Sequence, residues 1–198
     1  MDRFLGVIKR ATAVIAIAMS VYHLYAAAFG APEAMMHRSI HLAFTFGLIF
    51  LTNMTGRDGK AKWKLSLDAA LLILALASMA HIFVNYDYVV TRYPWVQPLT
   101  GWDFVLGILL TLLLLEASRR VLGWALPITA AVFLVYAIFG QHLPGLLRHT
   151  GFDLELIVEQ LYLTTEGIFG IPLGVSATYV ILFVVFGAFL EVSGTGQT

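Results

Sequence analysis

The sequence predicts an all-α, polytopic membrane helix bundle: about six transmembrane helices and one amphipathic helix at the interface. Three observations carry this. Of 198 residues, 60% are hydrophobic and only 12% are charged, where soluble domains run about 45–50% apolar and about 25% charged. Mean hydropathy is +0.85. The apolar residues fall in runs near the roughly 17–25 residues that cross a bilayer as a helix, without the apolar/polar alternation of a membrane β-barrel.

The predicted spans are residues 11–29, 39–54, 67–84, 102–115, 121–139 and 172–190. The fourth is short and needs snorkelling ends or a locally thin bilayer. The first resembles a signal peptide in ending at Ala26-Ala27-Ala28. Its apolar run exceeds the 7–15 residues of a signal core, so an uncleaved anchor is expected.

Orientation follows from the basic residues of the short loops. Arg3, Lys9, Arg10, Arg57, Lys60, Lys62, Lys64, Arg119 and Arg120 fall on one side; Arg38, Arg92 and Arg148 fall on the other. Nine against three places the N-terminus in the cytoplasm, with Glu191–Thr198 there too if all six spans cross. The inner loop Gly56-Arg57-Asp58-Gly59-Lys60 is turn-rich. The outer loop, residues 85–101, carries Tyr86, Tyr88, Tyr93, Trp95 and Trp102 at its end. Such aromatics suit the headgroup zone or a docking surface.

Charged residues near span ends have local roles. Thr100 and Asp103 form a capping-box pattern, with Asp103 at the positive end of the helix dipole. Glu116 and Arg120 are spaced to pair along one face. Asp68, one residue inside span three, is expected to cap and to reach water; an acid deeper in a membrane is a functional candidate.

Balanced charge and the lack of a basic stripe argue against nucleic-acid binding. Zero Cys removes disulfides and thiol chemistry. No nucleophile motif, P-loop or HExxH spacing is present, so no enzyme is expected and no tightly bound cofactor. All six histidines (His23, His37, His41, His81, His142, His149) map to the outer half. His23, His41 and His81 at similar depth leave open a haem-binding membrane redox subunit. A structural membrane assembly module is the other alternative.

Residues 153–166 read as an amphipathic helix, with Leu154, Ile157, Val158 and Leu161 on one stripe and Asp153, Glu155, Glu159 and Gln160 at polar positions. It is expected along the outer interface, or as a packed arm. Next comes EGIFGIPLGVSAT (166–178). Gly167, Gly170 and Gly174 sit close together, Pro172 lacks an amide donor, and Gly170 and Gly174 make a close-packing pair. Either this is an irregular segment lining a transport pathway, with Ser176 and Thr178 offering oxygens, or it is a turn followed by a tightly packed helix start.

The run continues as YVILFVVFGAFLEVSGTGQ (179–197). From Glu166 to Gln197 the sequence resembles the opening of the large membrane subunit of TRAP transporters (tripartite ATP-independent periplasmic transporters), closest to fused permeases of the TAXI type. ALPI (125–128), YAIFG (136–140), LPGL (143–146) and QLYLTTEG (160–167) support it, and residues 101–120 resemble the last helix of the small-subunit portion.

The resemblance implies a four-helix small-subunit-like unit (1–120), a linking span and outer loop (121–150), and the start of a large-subunit-like unit (151–198). It further implies organic-acid import across the bacterial inner membrane, driven by a sodium gradient and fed by a periplasmic substrate-binding protein. The large-subunit helices of fused members would lie beyond Thr198, so the chain is expected to be an N-terminal fragment, inactive alone. Glu166, Gly170, Pro172, Gly174, Ser176 and Thr178 match the motif and are the candidate substrate or ion pathway residues.

Overall fold

The computed structural model describes residues 2–55 and 62–194, apart from the side chains of 2–4, 55 and 62. The predicted inner loop Gly56–Lys60 and the last residues of the tail lie outside the described residues. The described residues form helices and connecting turns, with no strand among them. The long helices are α1 (Asp2–Phe29), α2 (Ala34–Thr55), α3 (Lys62–Val84), α5 (Gly101–Leu122), α6 (Ala125–Phe139) and α8 (Ile171–Val192). Two short ones are α4 (Tyr86–Thr91) and α7 (Leu154–Tyr162).

Among the described residues, five segments are long and apolar enough to cross a membrane: Leu5–Phe29, Ala34–Met54, Trp63–Val84, Ala125–His142 and Ile171–Val192. The predicted fourth span lies in α5. Between Asp103 and Glu116 that helix has only residues 104–115 uncharged, about 18 Å at 1.5 Å per residue, against a hydrocarbon core of about 30 Å. The predicted fifth span began at Val121, but Val121 and Leu122 finish α5. Gly123, at φ 82°, ends that helix with its N–H on the Arg119 carbonyl, a conformation open to glycine and closed to most residues.

The chain divides into two compact units, Met1–Leu72 with Phe169–Thr198, and Ile73–Ile168. The boundary falls within α3.

In the first unit α1 and α2 pair, and both pack against α8. Gly30 (φ 104°) closes α1 with its N–H on the Ala26 carbonyl, 3.0 Å. Glu33 then starts α2 by accepting the Met35 N–H at 2.8 Å. Gly47 lies against Ile15, with room for no more than ordinary contact. Outward residues are apolar (Val14, Ile17, Val21, Phe183, Phe186, Phe189), while His23, His37, Ser39 and His41 are buried. Exposed grease over buried polar groups inverts the soluble pattern and fits a lipid solvent.

In the second unit α5 is the hub, packing α6 and α7. The arm α7 buries Val158, Glu159 and Tyr162, while Leu154 of the predicted stripe is exposed. The arm thus packs on α5 through a face that keeps Val158 of the predicted stripe and adds Glu159 and Tyr162. Gly107 makes this possible, since a Cβ there would lie 2.6 Å from Val158 Cγ1 and 3.1 Å from Tyr162 Cβ. Tyr162 donates its hydroxyl to the Ser78 carbonyl at 2.7 Å, so the buried ring's polar tip is satisfied.

Candidate functional site

The first unit holds a buried polar cluster built on three helices. Tyr22 and His23 come from α1. His37 and His41 come from α2, four residues apart and so on one face. The third side comes from α8, where Ser176–Val180 form a single π-helical turn between the α-helical stretches Ile171–Val175 and Ile181–Val192. Such a widened turn disrupts the usual carbonyl pairing and recurs at functional sites.

The hydrogen bonds run in a line. His23 Nδ1 lies 2.7 Å from the Met19 carbonyl. His23 Nε2 lies 3.0 Å from His41 Nδ1, and His41 Nε2 lies 3.1 Å from Ser176 Oγ. Beside this line, His37 Nε2 is 3.2 Å from the Ala177 carbonyl and its Nδ1 is 2.9 Å from the Tyr22 hydroxyl.

These partners assign the protons of the three neutral rings. A carbonyl only accepts, so His23 carries hydrogen on Nδ1 and accepts at Nε2. His41 must then donate from Nδ1 and accept at Nε2, and Ser176 must donate its hydroxyl to His41. His37 carries hydrogen on Nε2, for Ala177, and accepts from Tyr22. Every ring nitrogen is used, which keeps uncharged imidazoles tolerable inside a membrane.

The α8 residues picked from sequence fall around this cluster. Gly170 is buried at the helix start and accepts the Gly174 N–H at 3.0 Å. Pro172 sits in the first turn, where its missing N–H is no loss. Gly174 faces Arg38, whose guanidinium a Cβ would meet at 2.9 Å; Arg38 also donates to the Phe169 carbonyl. Thr178 returns its hydroxyl to the Gly174 carbonyl at 2.9 Å, so it accepts but has no spare hydrogen. Glu166 belongs to the second unit, exposed in the turn after α7, its N–H on Thr164 Oγ1 at 3.2 Å. Within 166–178 a turn leads into a packed helix start, and the π-helical turn lies further on.

The second unit holds another buried network. Asp103 is wholly buried and accepts from the Thr100 N–H (3.0 Å) and hydroxyl (2.7 Å) and the Tyr88 hydroxyl (2.9 Å), with His81 Nε2 at 2.8 Å. The capping box is present as read; the two aromatic partners are additional. Burial, and then the bond and charge of Asp103, hold the Tyr88 hydroxyl above the usual phenol range, which keeps it a donor. Arg92 Nη1 pairs with Glu159 at 2.9 Å, both side chains buried, and Glu159 also takes the Trp95 N–H at 2.9 Å. Trp95 itself adopts φ 61°. Glu116 pairs with Arg120 as expected, and with Arg119 as well.

Asp68 corrects the sequence reading. It is wholly buried, because α3 begins at Lys62 and puts Asp68 in its second turn, beyond the helix end where an acid caps. The histidines considered for haem have protein partners: His23 and His41 bond each other, and His81 bonds Asp103 and Asn85. Among the described residues no group of three or more His, Asp or Glu could hold a metal ion.

Residues 109–198 match the family model described as Tripartite ATP-independent periplasmic transporter, DctM component. This stretch, a little under half of the chain, is similar to that TRAP transporter membrane component. The match runs from within α5 through α6, α7 and α8, and so includes the π-helical turn. No curated protein and no solved structure matches the chain. That description names a transporter, in keeping with a chain rich in apolar helices.

Sequence reasoning put His23 and His41 at similar depth but did not pair them with Ser176. The signal in the sequence was the His37/His41 spacing; nothing local pointed to the third helix.

Proposed function

We propose that the chain is a membrane component of a sodium-driven, binding-protein-dependent TRAP transporter that imports an organic acid across the bacterial inner membrane. The family match over residues 109–198 carries this reading, because it spans the whole segment holding the motif at 166–178. The partners in this reading are a periplasmic substrate-binding protein, the further helices of the large subunit and the lipid bilayer. The sodium gradient supplies the driving force, and the N-terminus is cytoplasmic, on the basic-residue count.

Within this reading, Glu166, Gly170, Pro172, Gly174, Ser176 and Thr178 contribute to or support the pathway. Irregular backbone in a membrane persists only when buried in protein or lining a cavity; in the π-helical turn Ala177 is buried, with Ser176 and Thr178 beside it, while Tyr179 and Val180 face outward. Gly174 and Pro172 set the helix start, while Ser176 and the Ala177 carbonyl face polar partners instead of lipid.

The test is uptake. Membranes co-expressing this chain, TRAP large-subunit helices and a cognate binding protein are loaded with radiolabelled carboxylates, with and without a sodium gradient. Accumulation that needs the gradient, the binding protein and this chain supports the reading. Uptake indifferent to this chain overturns it.

A further inference from the structure

We propose that the His23–His41 pair is a binding site for a single proton, and that the Ser176 hydroxyl reverses direction when the proton arrives. The inference does not depend on what the transporter carries. It rests on the order of the hydrogen bonds.

In the neutral cluster the donors run one way: Ser176 to His41, His41 to His23, His23 to the Met19 carbonyl, at 3.1, 3.0 and 2.7 Å. An added proton cannot enter at the Met19 end, where His23 Nδ1 already donates to a carbonyl that only accepts. It enters at His41 Nε2. A hydroxyl both donates and accepts, so Ser176 turns and its oxygen receives the new N–H. Its own hydrogen then swings to a carbonyl one turn back, as the Thr178 hydroxyl already does to Gly174. No bond is lost and none is left unmade. The charge is shared, since the hydrogen in the 3.0 Å gap between the rings serves either one, and the pair titrates as a unit.

The groups beside the pair are Tyr22 from α1, His37 from α2, and Ser176 and Thr178 from α8. One proton fits and no more, because a second would put two like charges on rings whose nitrogens are 3.0 Å apart. A cavity of about 60 Å³ beside His23 is lined by His23, His37 and Thr178 among small residues (Ala26, Ala27, Ala177). It has room for a water, which needs about 10–15 Å³ of such volume, and so brings water to the His23 end of the pair. Proton arrival would therefore change the bonding of the one π-helical turn in α8.

The experiment is a pH titration of the full chain, with ¹⁵N-labelled histidine, in lipid nanodiscs by NMR. At high pH the expected hydrogens are on His41 Nδ1, His23 Nδ1 and His37 Nε2. On acidification His41 Nε2 gains a hydrogen while His41 and His23 move together. A hydrogen on His41 Nε2 in the high-pH form overturns the proposal on the parent chain alone. So does a pair that stays neutral down to the acid limit of folding. In Ser176→Ala the charged form loses the stronger bond, so proton binding by the pair weakens about tenfold. Ser176→Thr retains it, and His37 does not move in either variant. An unchanged pair in Ser176→Ala, or an equal shift at His37, sinks the assignment of Ser176.

Discussion

Asp103 and His81 meet at 2.8 Å, and the carboxylate is wholly buried. The same acid closes the capping box of α5 and receives the Tyr88 hydroxyl. One side chain thus ties α3, α4 and the start of α5 together within the second unit. Replacing Asp103 by Asn removes the charge from at least two bonds, and bonds to charged groups contribute about 1.5–3 kcal/mol each. Asp103→Asn is expected to lower stability by about 2–3 kcal/mol, read as a lower midpoint in denaturant unfolding of the purified chain in detergent. An unchanged midpoint would remove Asp103 as the unit's tie.

Tyr88 gives a pH signature. Its hydroxyl is held above the ordinary phenol value by burial and by Asp103. The folded state therefore keeps the proton longer than the unfolded chain does. The stabilisation is fully present below the ordinary value and is lost as pH climbs through the raised one. Alkaline unfolding curves of the parent chain should fall more steeply with pH than those of Tyr88→Phe. Parallel curves would contradict the Tyr88–Asp103 bond.

The seat of the arm helix α7 depends on Gly107. A methyl group there meets Val158 and Tyr162 well inside contact distance, and overpacking typically costs about 1–3 kcal/mol. Gly107→Ala should destabilise by that amount. Gly187 in α8 has nothing within 4 Å of such a methyl, so Gly187→Ala should be neutral or stabilising by about 0.5–1 kcal/mol. Equal effects at the two glycines, measured by thermal unfolding in the same detergent, would contradict the seat.

Arg92 and Glu159 form a buried ion pair at 2.9 Å. Breaking it on one side strands a charge, at a cost of about 3–5 kcal/mol. Glu159→Leu and Arg92→Met should each be severe, while the two together should cost less than the sum. A double-mutant cycle that comes out additive would show that the two do not act as a pair.

Orientation is checked with single cysteines, which are unique labels because the chain has no native Cys. An impermeant maleimide on whole spheroplasts should label Pro32→Cys, between α1 and α2, and leave Arg10→Cys unlabelled until the membrane is opened. The reverse pattern would invert the proposed topology.

Most of the helices were legible before any coordinates. Long apolar runs mark them, because a lipid-exposed backbone must satisfy itself within the helix. The Thr100/Asp103 cap and the Glu116–Arg120 pair were legible too, since they lie within a turn or so of one another. Errors came where a local rule met a boundary it did not see. Asp68 looked like a cap because the apolar run starts at Leu67, while the helix itself starts at Lys62. Val121 looked like the start of a span, although Gly123 stops the preceding helix two residues later.

The amino-acid sequence by itself determined that this is a membrane helix protein and roughly where its helices lie, properties that follow from composition, periodicity and short-range spacing; the TRAP resemblance of residues 166–197 was also legible there, as a likeness of motif. Tertiary structure alone decided that His23 faces His41, that His41 reaches Ser176 135 positions away in the chain, and that Glu159 is buried against Arg92. The physical reason is that a polar group in a low-dielectric interior must find a partner. Which partner it finds depends on how helices distant in sequence are packed.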